Sequence, residues 1–131
     1  MTSVFLTPEA VLLVGGVATG FPLNIRDQGN FDSAVLRPRT TIFGADAYPT
    51  LYAKAAALMQ SIARNHPFVD GNKRTAWASA WAFLRLNGVN LAADYDVDDA
   101  ERFVLDVAVG AIEDIEAIAG RFAEFAESAS T

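Results

Sequence analysis

The stretch "TAWASAWAFLRLNG", Thr75 to Gly88, decides the fold. No charged residue occurs between Arg74 and Arg85. A helix over this stretch would be apolar on nearly all sides, and such a helix is stable only with neighbours packed around it. The pair Asn87-Gly88 supplies a helix stop. A charge-free helix at the centre of a bundle is therefore the first expectation, and the class is all-α.

Upstream, Pro49 opens "PTLYAKAAALMQSIARN", in which Leu51, Ala55, Leu58 and Ile62 recur at helical spacing and Lys54 and Arg64 are the only charges. Near the start, "TPEA" reads as Thr7 capping a helix with Pro8 in its first turn. That helix should be buried and fade near Gly20. No Lys or Arg precedes Arg26, so the apolar start lacks the positive flank of a signal sequence, and its glycines break it before it could span a bilayer. A short helix is expected near Asp32 to Leu36, with a stop at Pro38 and room for a β-ribbon within residues 23–45. Downstream, Asp96 or Asp98 can cap a helix running to about Val109. A last helix, from about Glu113 to Glu127, carries Ile115, Ile118, Ala119, Phe122 and Phe125 on one stripe. The 131 residues contain no linker or repeat and fit one domain, residues 1–131.

Composition narrows the chemistry. With no cysteine, thiol nucleophiles, disulfides and thiolate zinc sites are excluded, and one histidine excludes a multi-histidine metal cage. A net charge of −6 argues against a broad basic surface for nucleic acid or anionic lipid. A cytoplasmic protein with a protein or small-molecule partner is expected. Two motif look-alikes fail on chemistry. "GGVATGF" has P-loop-like glycines at 15 and 20, but Phe21 and Pro22 stand where Lys and Ser/Thr are required. "DYDVDDAERFVL" lacks both the glycine and the terminal glutamate of a calcium loop, and its acids instead suit a helix N-terminus.

The stretch just before the central helix is different. "HPFVDGNKR", residues 66–74, holds the only histidine, an aspartate, a Gly-Asn pair and two cations. A helix start leaves backbone N–H groups without partners and so attracts an anion. Gly71 allows close backbone approach to a phosphate, and Asn72 can bond phosphate oxygens or brace the loop. Lys73 and Arg74 are repelled by the helix dipole, so a negative group is expected beside them in the working state. Asp70 offers an oxygen to Mg²⁺ between phosphates. His66 can take a proton from a hydroxyl nucleophile near neutral pH.

These residues resemble the Fic/Doc family, whose signature is H-x-F-x-[D/E]-[A/G]-N-x-R. His66, Phe68, Asp70, Gly71, Asn72 and Arg74 meet every defined position. "IRDQGNFDSAVLRPR", "NGV" and "VGAIEDIEAIAGRF" are also similar to Doc-type (death-on-curing) members, so the likeness spans nearly the whole chain. Fic-type adenylyltransferases carry G-N-G-R-x-x-R. Here Lys73 replaces the second glycine and Trp77 the second arginine, as in Doc-type kinases, although Gly71 is the Fic choice.

The resemblance implies a compact helical Fic/Doc-like bundle and a toxin of a toxin–antitoxin system. Such a toxin transfers the γ-phosphate of ATP to a threonine of translation elongation factor Tu. His66 would be the general base, Asp70 would serve Mg²⁺, and Gly71, Asn72, Lys73 and Arg74 would hold the phosphates. Phe68 would anchor the loop, and a flap for the target would lie in Arg26 to Arg39. The family's inhibitory S/T-x-x-x-E-[G/N] motif is not evident, which implies control by a separate Phd-like antitoxin. The alternatives are Fic-type transfer of AMP to a protein hydroxyl, and a non-catalytic member that only binds an antitoxin.

Overall fold

The structure, a computed structural model, describes residues 2–128. Among them are six α-helices and one two-stranded hairpin: α1 (Pro8–Thr19), α2 (Gln28–Leu36), β1 (Thr41–Ile42), β2 (Ala45–Asp46), α3 (Leu51–Asn65), α4 (Asn72–Leu86), α5 (Val97–Ala108) and α6 (Ile115–Phe125). The all-α expectation holds.

Helix α4 is the centre, as its charge-free run requires. From Thr75 to Leu84 no residue is exposed. It packs against α1, α3 and α5, while α3 in turn carries α2 and α6. An aromatic cluster fills the space between α4, α5 and α6. The Trp77 ring lies 5.4 Å from Phe125 and 6.1 Å from Phe122, and Phe103 sits edge-on to Phe122 at 5.5 Å. Such offset and edge-to-face pairs are the arrangements aromatic quadrupoles favour.

The helix starts follow short polar caps. Thr7, Asp27, Thr50, Asp96 and Asp114 each accept a hydrogen bond from the backbone N–H three residues on. Each bond satisfies a donor the helix cannot satisfy itself. Helix α2 therefore begins at Gln28, earlier than the short helix expected near Asp32, because Asp27 caps it. The β-ribbon is the hairpin of β1 and β2, turned at Phe43-Gly44, with both residues at positive φ.

The first helix corrects one expectation. It is not buried: only Val11 and Gly15 are, while Leu13 and Val17 are 70% and 78% exposed. The reason is its glycine. A Cβ on Gly15 would sit 2.4 Å from Leu23 Cδ1 and 2.7 Å from Thr75 Oγ1. Helix α1 thus meets α4 along a narrow, close-packed line and leaves its other side outside. Of the two glycines that imitated a P-loop, Gly15 serves this helix contact and Gly20 ends the helix in a left-handed cap.

Candidate functional site

The site forms where α3 ends and α4 begins. Pro67 disfavours the right-handed helical conformation at the residue before it, so α3 stops at Asn65. His66 then turns left-handed, with φ 47° and ψ 60°. Phe68 is buried and meets Phe31 edge-on at 5.6 Å, which anchors the loop in the core. The loop also pairs, strand-like, with the segment ahead of α2. Arg26 N–H donates to the Pro67 carbonyl at 2.7 Å, and Val69 N–H to the Asn24 carbonyl at 2.9 Å. Ile25 and Phe68 form an antiparallel bridge. The piece of chain paired strand-like with the motif is therefore residues 24–27. Most of the expected Arg26 to Arg39 flap is α2, whose Asn30 and Phe31 also reach the loop, at the Asn65 carbonyl and the Phe68 ring.

Asn72 closes the loop. Its Oδ1 accepts from Phe68 N–H, and its Nδ2 donates to the Phe68 carbonyl, each at 3.0 Å. Of the two roles open to this side chain, the structure gives it the brace. What Asn72 leaves for an anion is its backbone N–H.

Gly71 is the N-cap of α4, with φ 82°. The left-handed region is costly for residues with a Cβ, and a Cβ here would lie 2.7 Å from Thr19 Cγ2. Gly71 is required twice over. Its N–H donates to Asp70 Oδ1 at 2.7 Å. The other carboxylate oxygen of Asp70 has no protein partner among the described residues, and the residue is exposed.

Helix α4 is the exception among the six described α-helices, because no side chain caps its N-terminus. The N–H groups of Asn72, Lys73 and Arg74 find no acceptor among the described residues, and Thr75 N–H is the first to bond back, to the Gly71 carbonyl. Lys73 and Arg74 are exposed and form no ion pair with any described residue. Three donors and two cations without a partner among the described residues thus gather, with the helix dipole, in one helical turn. This arrangement stabilises an anion there and is unfavourable without one.

Beside it lies a cleft of about 520 Å³ between α4 and α5, lined by Trp77, Tyr95, Val104 and Leu105 and by three charges, Lys73, Arg74 and Glu101. Trp77 faces this cleft while its ring is held by the aromatic cluster. The place a second arginine would take is filled by an indole, and the cleft's cations all sit in the first turn of α4.

No cluster of three or more His, Asp or Glu side chains occurs among the described residues. Asp70 would be a single carboxylate ligand for Mg²⁺, a metal that keeps most of its waters and takes phosphate oxygens with one or two carboxylates. No described helix is long and apolar enough to cross a membrane.

Residues 26–30 fall within the expected flap, but their contacts with the loop backbone were not legible in the sequence. Arg26 Nη2 donates to the His66 carbonyl at 2.5 Å, and Asn30 Nδ2 to the Asn65 carbonyl at 3.0 Å. Both are side chain to backbone contacts between residues 40 and 35 positions apart, which no periodicity announces.

A helical bundle with this loop on its central helix defines a class. The model of the Fic/DOC family matches residues 9–84, and the chain belongs to that family. More particularly, it is 55% identical over 127 residues to Toxin Doc of Mycolicibacterium smegmatis (strain ATCC 700084 / mc(2)155), a match covering 97% of each chain.

Proposed function

We propose that this chain is a Doc-like toxin of a toxin–antitoxin pair, acting in the cytoplasm as an ATP-dependent protein kinase. Its acceptor would be a threonine hydroxyl of translation elongation factor Tu, whose modification blocks translation. A small Phd-like antitoxin would neutralise it. The observation that carries the reading is the uncapped start of α4, where three N–H groups and two cations have no partner among the described residues, close in sequence to His66 and Asp70. The likeness to Toxin Doc supports the toxin role.

In this reading the backbone of Asn72, Lys73 and Arg74, with the Lys73 and Arg74 side chains, holds the phosphate chain, and Gly71 lets it approach. Asp70 places its free oxygen toward Mg²⁺, which when bound with the nucleotide neutralises phosphate charge. His66 accepts the proton of the threonine hydroxyl. The hydroxyl oxygen bonds to the γ-phosphorus as the bridging P–O bond breaks, and ADP leaves with that electron pair. Catalysis of this kind is mostly positioning and charge neutralisation, so a site this sparse is sufficient.

Trp77 favours the kinase. A triphosphate laid with its α-phosphate at the helix start would extend its γ-phosphate toward a cation that this cleft does not provide. One feature favours the nucleotidyl alternative, namely Gly71 at the position where Doc-type kinases carry alanine. Incubating elongation factor Tu with ATP labelled at the α- or the γ-phosphate separates them. Label entering only from the γ-position supports the kinase, and label from the α-position contradicts it. Label from neither, with growth arrest intact, would leave a binding-only protein.

A further inference from the structure

We infer that Arg26 is a positioning residue for His66, a role that rests on reading His66 as the general base. Helices α1 and α3 both end on a left-handed residue. In α1 it is Gly20, for which that conformation is free of strain; in α3 it is His66. Among the described residues only Phe43, in the hairpin turn, is another non-glycine at positive φ. A non-glycine residue in this region is strained and persists where its surroundings over-determine it.

The surroundings here all come from one short segment. Three consecutive carbonyls are bonded by residues 26–30: Asn65 by the Asn30 amide at 3.0 Å, His66 by the Arg26 guanidinium at 2.5 Å, and Pro67 by the Arg26 N–H at 2.7 Å. Arg26 grips two of the three, one with its side chain and one with its backbone. Its charge also lies at the C-terminal end of α3, where the helix dipole favours a cation. The His66 carbonyl has no other partner among the described residues. Without the guanidinium the His66 carbonyl loses its one partner while the Pro67 carbonyl keeps the Arg26 and Asp27 N–H groups, so the change falls on the backbone of His66, which carries the imidazole. Arg26 therefore sets where the base points while touching neither nucleotide nor acceptor.

A purely stabilising cap would give the same contacts, so the test needs measurements that stability does not move. Arg26→Gln should lower kcat for phosphate transfer to elongation factor Tu by roughly tenfold to a hundredfold, the scale of a small misplacement, with KM for ATP changed less than about twofold. Arg26→Lys, which keeps the cation, should recover most of that loss. In a His66→Ala background Arg26→Gln should add no further loss, because coupled residues are not additive. An equal loss in both backgrounds would overturn the inference.

A second measurement does not need activity. His66 is the only histidine, so its imidazole Cε1–H gives one resonance. That resonance should move in Arg26→Gln and stay near its wild-type position in Arg26→Lys. A resonance unmoved in the Gln variant overturns the role of Arg26, whereas absent phosphate transfer by the wild-type chain with a moved resonance overturns only the kinase reading.

Discussion

Asn72→Ala is the substitution on which the two roles of this side chain part. Its two bonds to Phe68, both at 3.0 Å, tie a buried anchor to the first turn of α4. Net intramolecular hydrogen bonds contribute about 0.5–1.5 kcal/mol each, so losing both costs about 1–3 kcal/mol. Alanine's greater helix preference returns up to about 0.7 kcal/mol. The expected loss is about 1–2 kcal/mol, which for a chain of this size lowers Tm by roughly 3–10 °C. Because the backbone N–H of residue 72 survives, affinity for Mg²⁺-ATP measured by calorimetry below the transition should fall less than about tenfold. Asn72→Asp is the complement. It keeps the acceptor for Phe68 N–H but sets a carboxylate oxygen against the Phe68 carbonyl, so Tm should fall despite the favourable dipole and cations. The same charge competes with phosphate, so affinity should fall further than in the alanine variant. A wild-type Tm for Asn72→Ala together with a loss of affinity beyond tenfold would refute this assignment and make the side chain a phosphate ligand.

Gly71→Ala combines left-handed strain with overlap on Thr19, and should cost about 2–4 kcal/mol in denaturant titrations; a cost under about 0.5 kcal/mol would contradict the geometry. Lys73→Glu should move stability and binding in opposite senses: Tm holds or rises, since an acid suits a helix start, while calorimetric affinity for Mg²⁺-ATP falls about tenfold or more. Asp70→Asn retains an acceptor for Gly71 N–H and so the fold, but half-maximal phosphate transfer should need more Mg²⁺; an unaltered Mg²⁺ titration counts against Asp70. His66→Ala should abolish growth arrest and target modification in cells with its melting curve preserved, and arrest at wild-type strength would end its assignment as base.

Much of the fold was legible because it is written in local chemistry. The charge-free run before Arg85 gave the central helix, the Asn87-Gly88 pair its end, and the Thr7 and Asp96 caps set two more helix starts. The last helix's stripe places Ile118, Ala119, Phe122 and Phe125 in the core and leaves Ile115 half-buried. What was not legible depends on distant partners. The outward face of α1 follows from a glycine contact with α4, which a run of apolar residues does not reveal. Lys54 is 3% exposed within α3, where its Nζ pairs with Asp46 at 3.1 Å and donates to the Tyr48 carbonyl. A lone lysine in a helix pattern otherwise reads as a surface charge. At the site, the motif residues were visible as a set, but the grip of Arg26 on His66 and of Asn72 on Phe68 appears only once the loops are placed. Two cations at a helix start were the clearest hint, since local electrostatics alone disfavours them.

The central claim is that the uncapped start of α4 presents the terminal phosphate of ATP to a protein hydroxyl. Its most direct test is the intact mass of elongation factor Tu after incubation with this chain, ATP and Mg²⁺, beside a His66→Ala control. The account predicts a gain of one phosphoryl group on a threonine, absent from the control. A gain of a whole AMP unit, or a phosphoryl gain that persists in the control, would contradict it.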